Sequence, residues 1–284
     1  MGPSNSPIAR LAAVTADNSA RDGRLTVIDI PAPGATIAVD DTGEGVPVLL
    51  LHGFPATRHL WSRVEPLMRD AGFRLLIPDL VGYGGSDAPA GVRIDMASQA
   101  SWMLALLDAL GIARVAVVAH DVGSAAAQLM VATAAHRVRA LVVLDGVYAN
   151  EWAMEAIASI QAWNPADARR LFPVLARRLG KSADLREMLS AYEGEEGGLR
   201  LIRAARDLDP RQTEHIGEAL RSSGIPALVI WGEHDDFLPL STVAQPLAKL
   251  LRADLLILPG GHFTPMECPE EVAAALTEFL ARVA

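Results

Sequence analysis

The chain has 284 residues, of which 51% are hydrophobic and 21% are charged, so it carries enough apolar material for a large buried sheet. Its net charge of -9 disfavours nucleic acid and anionic membranes as partners, because both attract basic surfaces. A single cysteine, Cys268, excludes an intrachain disulfide and a metal site made of several thiolates. With no membrane-length apolar run and no signal-peptide pattern, a cytoplasmic protein is expected.

Along the chain, short apolar runs alternate with helical segments. Residues 1–23 mix Pro, Ser, Asn and Gly without periodicity, and we expect a flexible lead-in. RLTVIDI and ATIAVDD, joined through PAPG, are typical of an antiparallel strand pair. Six further runs lack polar alternation, as buried parallel strands do; they cover 46–53, 73–80, 114–121, 140–146, 226–232 and 253–260. The pattern predicts a mostly parallel eight-stranded sheet, flanked by helices, within residues 24–147 and 223–284.

Residues 148–222 interrupt this alternation, because they show only helical patterning separated by Pro and Gly. An insertion of this size is too long for an ordinary crossover between strands. We therefore predict an all-helical cap above the carboxyl ends of the strands, where open α/β sheets bind their ligands.

The stretch VVAHDVGSAA, residues 117–126, places Asp121 between an apolar strand and a helix of small residues. Ala119 lies two positions before it and Gly123 two positions after it, as a sharp turn that exposes a nucleophile requires. Asp121 could instead cap the helix, which is a common role of aspartate, and this stretch alone leaves both interpretations open. Ser124 is a poorer candidate nucleophile, because it would lie inside the helix.

Four short motifs follow one another in the chain: HGFP at 52–55, DLVGYGGSD at 79–87, HDVG at 120–123 and GGHF at 260–263. With them, residues from about 25 to 284 resemble the α/β-hydrolase superfamily. Within it they are similar to the branch with an aspartate nucleophile, which includes epoxide hydrolases, haloacetate dehalogenases and haloalkane dehalogenases. An ionised carboxylate can attack a saturated carbon directly and form an alkyl ester, which would explain an aspartate at the turn.

The resemblance implies a role for each further candidate. His262, between the last strand and the final helix, is expected to be the general base that activates water. Asp235 and Asp145 follow two neighbouring strands and are both candidates for the acid that orients this base; we favour Asp235, but the sequence leaves both open. The backbone N–H groups of Phe54 and Val122 are expected to form the oxyanion hole.

The chain also departs from this branch of the superfamily. Val122 stands directly after the nucleophile position, where those relatives carry Trp or Arg, and GSAAAQ contains no cation. A small uncharged organic substrate, attacked with the help of water, is therefore expected. Tyrosines of the cap could protonate an epoxide oxygen and its tryptophans could bind a halide, although packing of the cap helices is the better explanation for each of them taken singly. The candidate substrate-binding residues are His52, His120, Tyr148, Trp152, Trp163 and Tyr192.

The sequence thus predicts a cofactor-free hydrolase that forms an alkyl-enzyme ester on Asp121, foremost an epoxide hydrolase. A haloacetate or haloalkane dehalogenase is the nearest alternative. A lyase, isomerase or cyclase that uses Asp121 without a covalent step is a further one. A purely ligand-binding protein has no physical need for Asp121, His262 and two candidate acids together. Neither a phosphate-binding loop nor a histidine pair at metal-ligand spacing occurs, so neither a cofactor nor a metal is expected.

Overall fold

The computed structural model of the protein describes residues 22–31 and 34–283. The lead-in predicted for residues 1–23 lies outside these residues, except for Asp22 and Gly23, which begin the first strand. Strand β1 therefore starts two residues earlier than the sequence pattern indicated.

Within the described residues, eight strands form one sheet in the order β1-β2-β4-β3-β5-β6-β7-β8. β1 pairs with β2 and β2 with β4 in antiparallel fashion, whereas all other neighbours are parallel. The predicted mostly parallel, eight-stranded sheet is confirmed. The strands are β1 (Asp22–Ile30), β2 (Ala35–Thr42), β3 (Val46–Leu51), β4 (Phe73–Pro78), β5 (Val115–His120), β6 (Val138–Leu144), β7 (Ala227–Gly232) and β8 (Asp254–Leu258).

The central strands are buried on both faces, which is why their sequences lack polar alternation. Every residue of β5 is buried, and so are the last four residues of β3. In the parallel register of these two strands Leu51 pairs with Ala119, so both strands end at the same edge. The segments that follow them, 52–55 and 121–123, are thereby brought together.

Helices cover the sheet on both sides. Asp95, for example, caps the N-terminus of the second helix, because its side chain accepts a hydrogen bond from the Ser98 N–H at 2.9 Å. The helices of the core are α1 (Glu65–Asp70), α2 (Met96–Ala109), α3 (Gly123–Ala134), α9 (Gln245–Leu251), α10 (Thr264–Glu267) and α11 (Pro269–Val283).

Between β6 and β7 the chain contributes helices and no strand of the described sheet. We call residues 148–222 the cap. The Ile94 N–H donates to Asp207 Oδ2 of the cap at 2.8 Å, one of several polar contacts that fasten it to the core. Its helices are α4 (Met154–Gln161), α5 (Leu171–Leu179), α6 (Ala183–Leu189), α7 (Gly194–Asp207) and α8 (Gly217–Ser222). Among the described residues, none of the helices combines the length and apolarity that crossing a membrane requires.

Candidate active site

Asp121 occupies the turn between β5 and α3 with φ of 49°, in the left-handed region that side chains other than glycine seldom adopt. Two glycines permit the close packing around it. A Cβ on Gly123 would lie 2.2 Å from the His52 carbonyl oxygen, and a Cβ on Gly53 would lie 2.4 Å from the Asp121 Cβ. The surrounding backbone therefore holds this conformation, as strained functional turns require.

The two carboxylate oxygens of Asp121 have different surroundings, and the residue is only 5% exposed. Oδ1 accepts a hydrogen bond from the Phe54 N–H at 3.3 Å and a second, shorter one from the Val122 N–H. Oδ2 lies 3.2 Å from Nε2 of His262. One oxygen is thus bound by the two backbone donors expected for an oxyanion hole, while the other faces the imidazole.

His262 connects Asp121 to a second carboxylate. Its Nδ1 lies 2.9 Å from Oδ2 of Asp235. The other oxygen of Asp235 accepts hydrogen bonds from the Phe237 and Leu238 N–H groups at 2.8 and 3.0 Å. These backbone donors fix the orientation of Asp235. Its side chain is only 1% exposed and is therefore shielded from water.

His262 and Asp121 each shift the pKa of the other. Burial alone would lower the pKa of His262, but its hydrogen bonds to Asp121 and Asp235 hold that pKa well above its ordinary value. Burial alone would raise the pKa of Asp121, but the hydrogen bond from His262 and its charge hold it below the ordinary range. Both shifts favour an imidazolium at His262 beside a carboxylate at Asp121.

Asp145, the other candidate acid, is fully buried and lies close to the same loop. Its Oδ1 accepts a hydrogen bond from the Gly232 N–H at 2.7 Å, and its Oδ2 accepts one from the hydroxyl of Thr264. Burial raises the pKa of Asp145 to about 8. Since Thr264 is two residues beyond His262, Asp145 ties the ends of β6 and β7 to the segment that carries the imidazole.

Two further histidines are hydrogen-bonded to the backbone around this site. His52 accepts from the Leu80 N–H at Nε2, at 2.9 Å, so its Nδ1–H donates to the Gly53 carbonyl at 2.8 Å. Nε2 of His120 lies 2.7 Å from the His262 carbonyl oxygen and donates to it. Burial lowers the pKa of both rings, to about 4 for His120, so both are neutral and shape the loops that carry Phe54 and His262.

Asp121 and His262 line a cavity of about 260 Å³ between core and cap, which we call the inner cavity. Phe237 and Phe263 belong to its wall on the core side. On the cap side, α4 and α5 contribute lining residues that were not singled out from the sequence, although those of α5 recur at the spacing of one helical face. Among them are Ile157, Ile160, Leu171, Val174, Leu175, Arg178 and Leu179. The site therefore offers a carboxylate and an imidazole to a mostly apolar ligand.

The model of the alpha/beta hydrolase fold family matches residues 46–183. The protein has the α/β-hydrolase fold. It is 28% identical to the 2-hydroxymuconate semialdehyde hydrolase of Pseudomonas sp. (strain CF600), with 93% of this chain and 95% of the relative covered. It is 26% identical to an epoxide hydrolase of Caballeronia sordidicola, over 92% and 95%. The solved structure of a haloalkane dehalogenase from Bradyrhizobium elkani USDA94 superimposes with a TM-score of 0.77 at 23% identity, over 92% and 98%.

In this hydrolase the two expected cap tyrosines lie apart from the inner cavity. Tyr192 is fully buried, and its hydroxyl donates to the Ala56 carbonyl oxygen at 2.7 Å. Tyr148 is partly buried and forms an isolated bridge with Glu151. Neither lines the inner cavity. The geometry thus differs from a pair of tyrosines that point at a bound epoxide, because the Tyr192 hydroxyl already serves to attach the cap.

The two expected tryptophans are also engaged within the protein. Trp163 lines the inner cavity, but its indole N–H donates to the Asp167 carbonyl at 3.2 Å. The indole N–H of Trp152 donates to the Ala149 carbonyl at 3.2 Å and to the Thr213 hydroxyl at 3.1 Å. Both rings therefore offer apolar surface rather than a free donor.

Proposed function

We propose that this hydrolase forms an alkyl-enzyme ester on Asp121 and that its substrate is an epoxide. The observation that carries the proposal is that the two carboxylate oxygens of Asp121 have different hydrogen-bond partners. In acyl-transfer sites the backbone donors of the oxyanion hole are aimed at an oxygen of the substrate. Here they bind Oδ1 of the aspartate itself, while Oδ2 lies beside His262. That arrangement suits a reaction in which the oxyanion develops on the enzyme's own ester.

In the first half-reaction, Oδ2 of Asp121 attacks a ring carbon of the epoxide. The carbon–oxygen bond of the ring breaks, and the ring oxygen gains a proton to become a hydroxyl group. Asp121 loses its negative charge when it is esterified, which removes one of the two carboxylates that raise the pKa of His262. Water supplies the proton of the ring oxygen, and the imidazolium releases its own proton to the hydroxide that remains. The charges then balance, and His262 becomes a neutral base.

In the second half-reaction, neutral His262 takes a proton from water, and the hydroxide attacks Cγ of the Asp121 ester. The negative charge develops on Oδ1, where the N–H groups of Phe54 and Val122 stabilise it. The bond between Cγ and the oxygen attached to the substrate breaks, and that oxygen takes the proton back from His262. The new carboxyl group gives its proton to His262, a diol leaves, and Asp121 is again a carboxylate beside an imidazolium.

The hydrogen-bond donors of the cap suit an epoxide substrate better than a substrate that releases a halide. A displaced halide is a separate anion, and its burial is costly without hydrogen-bond donors. The indole N–H groups of Trp152 and Trp163, on which halide binding would depend, are used by other groups of the protein. The oxygen of an opened epoxide stays attached to the substrate and can take its proton from water. The 26% identity to an epoxide hydrolase supports the same choice.

Trapping the ester tests this proposal. A His262→Gln variant lacks the base of the second half-reaction, so we expect the ester to accumulate when it is incubated with a panel of epoxides and haloalkanes. Intact-protein mass spectrometry should show a mass increase equal to a whole epoxide, which peptide mapping places on Asp121. An Asp121→Asn, His262→Gln double variant is the control and should stay unmodified. An adduct that has lost halogen would make the protein a dehalogenase, and no adduct at all would favour chemistry without a covalent step.

A further inference from the structure

One face of helix α5 lines the inner cavity. Its residues recur at the spacing of one helical face; they are Leu171, Val174, Leu175, Arg178 and Leu179. Four of the five are apolar, and the fifth carries a guanidinium group. Arg178 also lines a second, larger cavity of about 1090 Å³, the outer groove, which shares His262 and Phe237 with the inner cavity. Arg178 therefore lies where the two spaces meet.

Arg178 is exposed, and among the described residues its guanidinium has no hydrogen-bond or ion-pair partner. Among the other arginines of the cap, Arg186 donates to the Gly180 carbonyl at 2.8 Å, and Arg170 pairs with Asp167 at 3.3 Å. Arg169 and Arg177 also have no partner among the described residues, but they lie outside the inner cavity. A guanidinium offers five N–H donors and keeps its charge at any working pH. A permanent cation with unused donors thus adjoins an apolar cavity.

The remaining polar groups of the inner cavity are already used. The hydroxyl of Ser159 donates to the Ala156 carbonyl at 2.6 Å, and the indole of Trp163 donates to a backbone carbonyl as described above. Asp121 and His262 bind each other. Arg178 is consequently the lining side chain, within the described part of the chain, that is free to bind a charged group of a ligand.

We propose that Arg178 binds a carboxylate of the substrate, at the end remote from the carbon that Asp121 attacks. This inference rests on the proposed function and names its substrate class: an epoxide with an apolar body and a terminal carboxylate. A volume of 260 Å³ corresponds to about nine water molecules at roughly 30 Å³ each, so the body is short. Helix α3 begins with GSAAAQ and has no cation, so it supplies no charged side chain for an anion beside the reacting carbon. The prediction of an uncharged substrate therefore applies only to the end of the substrate that Asp121 attacks.

The chemistry of the guanidinium supports this choice of partner. Its planar fork binds the two oxygens of a carboxylate with parallel hydrogen bonds, which makes arginine the usual residue for that purpose. The apolar wall of α5 reduces local screening, whereas the exposure of Arg178 to water limits the gain. The outer groove also contains two further cations, Arg63 and Lys181, and four carboxylates, Glu155, Asp184, Asp236 and Glu267, so it is not basic as a whole. Arg178 is the cation of this groove that also lines the inner cavity.

A different role would explain the same position. Arg178 lies in the last turn of α5, where a cation is favoured by the helix dipole and a long side chain can extend to solvent over apolar neighbours. In that case its replacement would change stability, or the turnover of all substrates alike. It would not change the preference between a charged and a neutral substrate of the same shape.

The test compares two terminal epoxides of equal length, one a seven-carbon carboxylate and the other its primary carboxamide. We expect the protein to prefer the carboxylate in kcat/KM by about tenfold, as one partly exposed charge-assisted contact allows. Arg178→Met should abolish the preference and Arg178→Lys should keep part of it. Arg177→Met is the matched control, because Arg177 is exposed, lies outside the inner cavity and carries the same charge. An equal preference in the unchanged protein and in Arg178→Met would overturn the inference, and so would an equal loss for both epoxides.

A binding measurement separates this inference from the proposed chemistry. Heptanoate and heptanamide are titrated calorimetrically into the Asp121→Asn variant with and without Arg178→Met. Tighter binding of heptanoate that disappears with Arg178→Met supports the carboxylate site even if no epoxide is turned over. Equal binding of the two ligands counts against the site even if epoxides are hydrolysed.

Discussion

Replacing Asp235 by Asn should separate the two half-reactions. The change keeps the shape of the side chain and removes its charge, so the imidazolium formed at His262 loses its anionic partner at 2.9 Å. A hydrogen bond to a charged group contributes about 1.5–3 kcal/mol, and screening by salt is weak at a side chain that is only 1% exposed. At about 1.4 kcal/mol per factor of ten, hydrolysis of the ester should slow by roughly ten- to 150-fold.

The attack of Asp121 on the substrate depends much less on Asp235, because His262 does not act as a base in that step. The Asp235→Asn variant should therefore accumulate the ester at steady state. Rapid quenching followed by intact-protein mass spectrometry measures the modified fraction directly. A substrate that alkylates the His262→Gln variant is used for this experiment, so that formation of the ester is already established.

Asp145→Asn is the matched control, since it removes the other candidate acid. Asparagine can still accept a hydrogen bond from the Gly232 N–H and donate one to the Thr264 hydroxyl, so the loop of His262 should keep its position. We expect an ester fraction close to that of the unchanged protein. If the ester accumulates in Asp145→Asn and not in Asp235→Asn, the assignment of the acid is wrong and Asp145 orients the base.

Three further changes test separate parts of the structure. Gly53→Ala would place a Cβ 2.4 Å from the Asp121 Cβ, so we expect turnover to be nearly abolished and stability to fall by about 1–3 kcal/mol; unchanged kcat would contradict the close packing of the turn at Asp121. Asp145 has a pKa of about 8 in the folded protein against an ordinary value of 3.8, so its contribution to stability is full below about pH 4 and is lost as the pH rises towards 8. Urea unfolding at a series of pH values should show a shallower decline for Asp145→Asn, and an equal decline would refute the burial argument. Tyr192→Phe leaves the Ala56 carbonyl without its donor, so it should cost about 1–3 kcal/mol in thermal or urea unfolding at nearly constant kcat; a large loss of kcat at constant stability would make Tyr192 a proton donor.

The sheet could be predicted because burial on both faces leaves a direct trace in the sequence. β5 is apolar up to its last residue, His120, and all its residues are buried, so its position was predicted to within one residue. The ends of other strands were less well defined. β6 begins at Val138, two residues before the predicted start, because Arg139 interrupts the apolar run while the backbone continues to pair with β5. The hydrophobic pattern of a sequence does not reveal backbone pairing at a residue whose polar side chain can reach solvent.

The turn at Asp121, between β5 and α3, could be predicted for a different reason, namely that its constraints are local. Small residues must lie near a turn with positive φ, and Ala119, Gly123 and Gly53 are close to Asp121 in space or in sequence. The choice between Asp235 and Asp145 has no such local signal. Both follow neighbouring parallel strands and both are buried, and only the direction of each side chain distinguishes them.

In the cap, a side chain that carries a hydrogen-bond donor is not necessarily free to bind a ligand. Tyr192, Trp152 and Trp163 were chosen because their side chains carry donors, yet each donor is bound by an oxygen of the protein. Buried donors are almost always satisfied in this way, so an aromatic residue in a helical insertion is by itself weak evidence of substrate binding. An arginine on the apolar face of a helix is the opposite case. Its charge conflicts with the periodic pattern around it, and Arg178 keeps its donors free where the inner cavity meets the outer groove. For a cap without motifs, a polar residue that breaks the apolar periodicity is thus a better guide to specificity than the aromatic residues that fit it.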